Sequence, residues 1–162
     1  MGRLYNLGER LKERLVSALG DPEEADKLAE GTVMYKDGYL TSAQILALNT
    51  TPIEAIPAPG SGKCLIVTGM YGTIDYNSAT YNEGTGVLRL SYTDASGDIA
   101  SQFTNAFLEA SADATAYAEP VIECVPVANA ALVFNTAADP TTGDSLIYYR
   151  IWYRIVPSLL SA

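Results

Sequence analysis

The sequence has no histidine, two cysteines, three phenylalanines and one tryptophan among its 162 residues. Without histidine it lacks the commonest general base, the Ser-His-Asp and Cys-His catalytic sites, and the ligand of most zinc sites. Two cysteines, Cys64 and Cys124, are too few for a disulfide scaffold. Cys64 lies in the apolar run CLIV, which predicts a buried free thiol. The composition therefore argues against the usual histidine-dependent enzymes and against a disulfide-stapled domain.

Long apolar runs and positive charge are also scarce. No stretch approaches the roughly 18 residues that a membrane span needs. The charged, amphipathic start lacks the apolar core of a signal peptide, so we expect no secretory leader and synthesis in a cytoplasm. Ten basic residues stand against 19 acidic ones, which gives a net charge of −9. An acidic chain disfavours binding to nucleic acid or to an anionic membrane.

What remains is a chain of ordinary hydrophobicity, 48% apolar, with eleven tyrosines, a residue that suits strands and half-exposed surfaces. Its length allows one domain with a real core, plus an appendage. From Thr32 onward, short apolar runs alternate with turn-forming residues. The Asp37-Gly38 pair predicts a turn, and 41–48 predicts one or two helical turns capped by Thr41 or Ser42. Strands or extended segments are predicted over 32–36, 51–56, 63–76, 87–93, 99–108, 115–125, 130–134 and 146–156.

The last of these segments, Leu146–Val156, is the clearest strand, because its side chains alternate without a breaker. One face is predicted to be core, and it carries Ile147, Tyr149, Ile151, Tyr153 and Ile155. The other face mixes aromatic residues with arginines, chiefly Tyr148, Arg150, Trp152 and Arg154. That mixture is typical of a subunit interface. The alternative is a solvated outer face on which the arginines snorkel to water.

About eight strands without regular crossover helices predict a mainly β protein, an antiparallel two-sheet sandwich. A jelly roll is the favoured topology. An immunoglobulin-like Greek key is the alternative, although Trp152 follows both cysteines instead of lying between them.

The first 31 residues differ from this β body and predict a helical N-terminal arm, so we divide the chain into the arm, 1–31, and the sandwich, 32–162. Residues 1–20 carry four basic and two acidic side chains, a charge of +2, which leaves −11 on the remainder. A helix predicted over 4–19 ends at Gly20, and a short helix runs from Asp21-Pro22 to Glu30. The apolar stripe of the helix predicted over 4–19 consists of Leu4, Leu7, Leu11 and Leu15.

Because an isolated 16-residue helix is marginal in water, the stripe needs an apolar partner. We expect it to bind outside its own sandwich, against a neighbouring subunit or another protein of a larger assembly. A solvated helix, or one packed on its own domain, is the alternative.

Three kinds of site were considered and set aside. The segment PGSGKC differs from a nucleotide-binding P-loop, since Pro57 replaces its first glycine, Cys64 replaces its Ser or Thr, and a strand is predicted to follow. The acids of DASGD, and Asp139 with Asp144, lack the spacing of a calcium loop and suit turns instead. No acid pair fits a glycosidase. We therefore predict no catalytic residue, no metal and no cofactor. Surface tyrosines could stack on sugars, with Tyr76, Tyr81 and Tyr92 as candidates, but tyrosines in a β-rich chain more often fill sheet faces, which is the favoured interpretation.

One segment resembles a known group of proteins. Residues 40–65, LTSAQILALNTTPIEAIPAPGSGKCL, resemble a segment of small virion proteins of tailed bacteriophages, with weaker likeness in 63–76, in GVLRLSY and in the terminal aromatic strand. The resemblance implies a non-enzymatic structural protein of the virion, a capsid cement or decoration protein on the capsid surface. Its implied partners are the major capsid protein and further copies of itself, with a trimer as the expected homo-oligomer. The alternatives are a glycan-binding module of a head fibre or tail, directed at the host surface, and a tail or portal-region component.

Overall fold

A computed structural model describes Arg14 and residues 32–82, 86–121 and 125–158. Apart from Arg14, the predicted arm therefore lies outside the described residues. The helices are short, α1 Ser42–Ile45 and α2 Asn105–Leu108. The strands are β1 Met34–Leu40, β2 Ile53–Ile56, β3 Lys63–Asp75, β4 Arg89–Tyr92, β5 Ile99–Gln102, β6 Ala114–Ala118, β7 Leu132–Asn135 and β8 Leu146–Pro157. The prediction of a mainly β chain is confirmed.

These strands form two four-stranded antiparallel sheets, as predicted. Sheet A has the order β1-β8-β3-β6, and sheet B has the order β2-β7-β4-β5. The pairing is nested: β1 pairs with β8, β2 with β7, β3 with β6, and β4 with β5. The chain is thus arranged like one long hairpin, with the connection between β4 and β5 at its tip, folded over so that alternate pairs enter different sheets.

The core lies between the sheets, and the alternation of β8 sets one side of it. Ile147 and Ile151 are fully buried, and Tyr153 nearly so, which confirms the predicted core face. The Tyr149 ring reaches sheet B, where its centroid lies 4.6 Å from that of Phe134. Tyr92 also crosses between the sheets, since its hydroxyl donates to the Leu65 carbonyl at 2.6 Å. Apolar packing with satisfied tyrosine hydroxyls therefore holds the two layers together.

The segment 40–65 carries the chain from sheet A to sheet B and back. Thr41 caps α1 with a capping box, because its hydroxyl accepts from the Gln44 amide while the Gln44 side chain accepts from the Thr41 amide. Ile45 and Leu48 are fully buried in the core. The following bend uses positive φ angles at Gly60 and Gly62. The residues of segment 40–65 therefore have structural roles in the cap, the core and the bend. The predicted helix cap at Thr41 and the predicted extended segment 51–56 are confirmed.

The predicted turn at Asp37-Gly38 is wrong. β1 continues through both residues to Leu40, paired with β8 along its whole length. Gly38 is needed there because a Cβ at this position would collide with the ring of Tyr149. The glycine therefore marks a close approach of a side chain and not a reversal of the chain.

Other boundaries also shift. The segment 99–108 divides into β5 and α2, whose Phe107 and Leu108 are buried, so only its first part is a strand. The strand predicted over 115–125 is confined to β6 within the described residues. In β3 the predicted bulge is confirmed between Val67 and Gly69.

Candidate assembly surface

The large apolar side chains that remain exposed are gathered on one side of the molecule. Within 32–82, 86–121 and 125–158, sheet B contributes none of them. Val33 adjoins β1, while Val125 and Val127 lie beside the start of β3, where Ala128 bridges to Cys64. The others are five tyrosines of sheet A, Tyr35, Tyr39, Tyr71, Tyr117 and Tyr148. A concentration of exposed apolar surface of this kind marks an interaction site.

Strand register places these tyrosines in rows on the outer face of sheet A. The middle row crosses all four strands and contains Asp37, Arg150, Tyr71 and Tyr117 in that order. Paired residues of adjacent strands share a face, so a row becomes a continuous surface. We call this surface the aromatic face and define it by Tyr35, Tyr39, Tyr71, Tyr117, Tyr148 and Trp152.

The flanking rows add the remaining rings. On one side, Tyr39 faces Tyr148, with the ring centroids 6.1 Å apart. On the other side, Tyr35 faces Trp152. The Tyr39–Tyr148 spacing lies in the range of favourable tilted aromatic pairs. The rings therefore support one another while their outer surfaces stay accessible.

Arg150 occupies the middle of the aromatic face. Its Nε and Nη2 donate to the two carboxylate oxygens of Asp37 at 2.6 and 2.7 Å, a bidentate pair. The guanidinium carbon lies 4.7 Å from the Tyr35 ring centroid and 6.0 Å from that of Trp152. The hydrogen bonds that Arg150 donates to Asp37 raise the pKa of Arg150. Because both side chains are nearly half exposed, the ion pair adds little stability. Its effect is to hold the guanidinium in one orientation between the rings.

Gly69 shapes the surface beside Trp152. Its missing side chain leaves space over β3, which the hydroxyl end of Tyr117 fills from β6. The Tyr117 and Trp152 ring centroids approach to 6.4 Å, although their strands lie on opposite sides of β3. A side chain at position 69 would separate these rings.

A depression of about 560 Å³ opens within the aromatic face. Its lining combines aromatic rings with the ion pair and consists of Asp37, Gly38, Tyr71, Tyr148, Tyr149, Arg150 and Trp152. Volumes of this size are typical of ligand sites. The aromatic rings and the oriented Arg150 guanidinium of this depression are groups that bind ligands or partner proteins.

The structure describes one of the two groups of sequence-predicted interface residues. Tyr148, Arg150, Trp152 and Arg154 lie together on the outer face, where Arg154 is exposed opposite Ile66. The four leucines of the arm, Leu4, Leu7, Leu11 and Leu15, lie outside the described residues. Their interface role remains a prediction.

Sequence reasoning missed the other half of the surface. Tyr35, Tyr39, Tyr71 and Tyr117 were not singled out, because the pairing of β1, β3 and β6 around β8 was unknown. Alternation within each strand was the available signal, and it does not say which strand is a neighbour.

The sugar-stacking interpretation is wrong for two of the three tyrosines. Tyr81 and Tyr92 are buried in the core, at 1% and 2% exposure. The Tyr81 hydroxyl donates to the Ser145 carbonyl at 2.5 Å, and burial raises the pKa of Tyr81. Tyr76 is half-buried, and its hydroxyl donates to the Ser78 carbonyl. A buried hydroxyl with a partner makes tyrosine an ordinary core residue.

The acids considered for calcium organise loops. Asp144 accepts hydrogen bonds from the Asn77 side chain, from the Ser78 amide and hydroxyl, and from the Ala79 amide. Asp139 accepts from the amides of Asn49 and Thr50 and from the Thr50 hydroxyl. No group of three potential metal ligands comes together within the described ranges. Turn chemistry accounts for both carboxylates.

The Asp144 contacts predict a dependence of stability on pH. Hydrogen bonds, first from the Ser78 hydroxyl and then from the Ala79 and Ser78 amides, lower the pKa of Asp144 to about 2. An unfolded aspartate titrates near pH 4. The stabilisation is therefore complete above about pH 4 and is lost as the pH falls toward 2. Thermal melts between pH 7 and pH 2.5 should show a smaller acid-induced drop for Asp144→Asn than for the parent protein.

The control is Asp98→Asn, at an exposed loop aspartate for which the described residues supply no side-chain hydrogen bond. It should keep the acid sensitivity of the parent protein. If Asp144→Asn and the parent lose melting temperature equally on acidification, the Asp144 contacts do not stabilise the loop.

Cys64 is buried and free, as predicted, and burial raises the pKa of its thiol. Among the helices of the described residues, none has the length and apolar character needed to cross a membrane.

Comparison with known proteins finds a distant structural likeness. No protein-family model matches the chain. No curated protein matches it either. Among solved structures, the chain is similar to a chain of the "Cyanophage Pam1 capsid asymmetric unit", with a TM-score of 0.45 and 18% sequence identity. The likeness covers 78% of this chain and 84% of that chain.

Proposed function

We propose that this protein is a non-enzymatic structural component of a bacteriophage virion, a cement or decoration protein that binds the capsid surface as a homo-oligomer. The observation that carries the proposal is the aromatic face, which gathers the exposed tyrosines of the described residues on one sheet. Tyrosine, tryptophan and arginine are the residues most enriched at the energetic centres of protein interfaces.

The extent of the surface supports this role. β1, β8, β3 and β6 contain 7, 12, 13 and 5 residues. At standard strand dimensions the outer face of sheet A measures roughly 600 Å². A stable interface buries about 800 Å² on each partner. The face therefore supplies most of the area of one specific protein contact.

The strand order supports a place among virion proteins. The nested pairing of eight strands, divided as β1-β8-β3-β6 and β2-β7-β4-β5, supports a jelly roll of two Greek keys, an architecture common in viral capsids. The resemblance of residues 40–65 to phage virion proteins points the same way. We infer a jelly roll in preference to the immunoglobulin-like alternative, because the nested pairs join the first strand to the last.

The direct test is mass analysis of purified particles together with binding of the full-length protein to empty capsids. A copy number comparable with that of the major capsid protein, and saturable capsid binding, are expected. Absence from particles overturns the proposal. A few copies per particle would overturn the cement role and favour a tail or portal-region component. Light scattering of the purified protein measures whether it forms the expected trimer.

A second candidate function is a glycan-binding module directed at the host surface. The depression in the aromatic face favours it, since Tyr71, Tyr148 and Trp152 surround the Arg150–Asp37 pair there. Sugar rings stack on aromatic faces while their hydroxyls pair with charged groups. Binding to a glycan array that is lost in Tyr148→Ala, with no binding to empty capsids, would select this function over the first.

A further inference from the structure

A second depression lies at the end of sheet A where β3 begins and β8 ends. It measures about 580 Å³ and is lined by Cys64, Ile66, Val125, Pro126, Val156, Pro157 and Ser158. We call it the apolar groove. Nearly all of these side chains are apolar, and Val125 is 57% exposed.

The groove continues the outer face of sheet A. Ile66 pairs with Arg154, and Cys64 pairs with Val156, in the same alternation that places Trp152 and Arg150 outward. It therefore opens on the same side of the molecule as the aromatic face. An open apolar groove beside a protein-binding surface fits an amphipathic helix, whose anchors recur every three or four residues.

The register also shows where the preceding chain leaves the body. Met34 lies opposite Tyr153, so the residues before Met34 run toward the Val156–Pro157 end of β8. The apolar groove opens at that end. Thr32 and Val33, which precede β1, therefore lie at the end of the sheet that carries the groove.

The sequence of residues 1–31 contains an apolar stripe that matches the apolar lining of the groove. The stripe Leu4, Leu7, Leu11 and Leu15 has helical spacing and needs an apolar partner. Residues 1–20, which hold the stripe, carry +2, residues 21–31 carry −4 and the sandwich 32–162 carries −7, so the stripe segment and the sandwich are opposite in net charge. The helix predicted for residues 22–30 has a length of about 13 Å, and we expect a spacer of that length to favour the groove of a neighbouring copy.

We propose that the apolar groove binds the leucine stripe of residues 4–19 from a neighbouring copy of this chain. This inference rests on the proposed structural role, because it names the contact that links the copies. Arms exchanged between copies multiply weak contacts into a stable assembly through avidity.

The test joins the stripe to the groove in the full-length protein. The variant Leu11→Cys with Val125→Cys, in a Cys64→Ala and Cys124→Ser background, places one thiol on the stripe and one on the exposed rim. Oxidised glutathione accepts the two electrons as the two thiols form a disulfide. The expected result is a covalent ladder of dimers and larger species on a non-reducing gel, with mass spectrometry locating the link between positions 11 and 125.

The matched control is Glu13→Cys with Val125→Cys, which moves the first thiol to the opposite side of the predicted helix. It should cross-link far less. A disulfide within one chain would overturn exchange between copies, because the arm would then occupy its own groove. Equal cross-linking of both pairs, or none in either, would overturn docking of the stripe.

A second variant tests the groove without cysteine chemistry. Val125→Asp adds a charge at an exposed position, so the melting temperature should stay within about 2 °C of the parent, as for most surface changes. The oligomer measured by light scattering should dissociate, and Leu11→Asp should act in the same way. An unchanged oligomer in both variants contradicts the proposal.

The two proposals fail separately. Particles that contain the protein in high copy number, without the cross-link between positions 11 and 125, would remove the exchanged arm alone. A cross-linked assembly that is absent from particles would remove the virion role and leave the arm contact intact.

Discussion

Replacing Gly143 by alanine is expected to lower the melting temperature by about 5–15 °C. Gly143 has a φ angle of +121°, outside the region that L-residues tolerate, and an added Cβ would collide with the ring of Tyr81. Backbone strain and displacement of a buried ring together cost about 2–5 kcal/mol. At this chain length each kcal/mol lowers the melting temperature by about 2–4 °C.

The matched control is Gly62→Ala. Gly62 also has a positive φ angle, +72°, but nothing lies within 4 Å of its added Cβ. Only the left-handed conformation is then penalised, by about 1–2 kcal/mol. Thermal unfolding followed by circular dichroism compares the two variants. If they melt at the same temperature, Tyr81 does not depend on the space that Gly143 leaves.

The second large effect concerns binding. Trp152→Ala is expected to weaken binding to empty capsids by about 30-fold or more, because a central aromatic anchor contributes about 2 kcal/mol or more. Trp152 contacts Tyr117 and lies beside the Arg150 guanidinium, so its loss removes a ring from the aromatic face and a support from two neighbours. Surface plasmon resonance or co-sedimentation with capsids measures the change.

Two further variants show whether that loss is specific. Tyr148→Ala removes an exposed ring from the same face and should also weaken binding. Gln102→Ala removes an exposed side chain of sheet B and should leave binding unchanged. Melting temperatures check that all three proteins remain folded. Equal capsid affinity for Trp152→Ala and Gln102→Ala would rule out the aromatic face as the contact.

The two sheets and the terminal strand were predictable because their signals are local. Alternation along Leu146–Val156 identified the core face of β8, and the position of Thr41 or Ser42 at the start of 41–48 indicated the cap of α1. Each of these features depends on residues within one element. The two-sheet architecture follows from the number of such strands and from the absence of crossover helices.

The errors have a common physical cause, since each depended on a distant partner. Asp37-Gly38 has the composition of a turn, but Arg150 and Tyr149 hold it in a strand across more than 100 residues of sequence. The sequence allowed Tyr81 to be interpreted as a surface residue. In the fold its hydroxyl donates to the carbonyl of Ser145, which is distant in sequence. The rows of the aromatic face required the register of four strands, which no single segment contains.

The nested pairing also has a consequence for how the protein folds. β4 and β5 are joined by a short connection, whereas pairing β1 with β8 closes a loop of more than 100 residues. The entropy of closing a loop grows with its length, so contacts near the tip form at lower cost than the outermost ones. We expect folding to proceed from the tip outward and to be slow, as in other β proteins of high contact order. The β1–β8 pair, which brings together Tyr35, Tyr39, Tyr148 and Trp152, then forms last. A newly made chain therefore completes its aromatic face only when the rest of the sandwich is already folded.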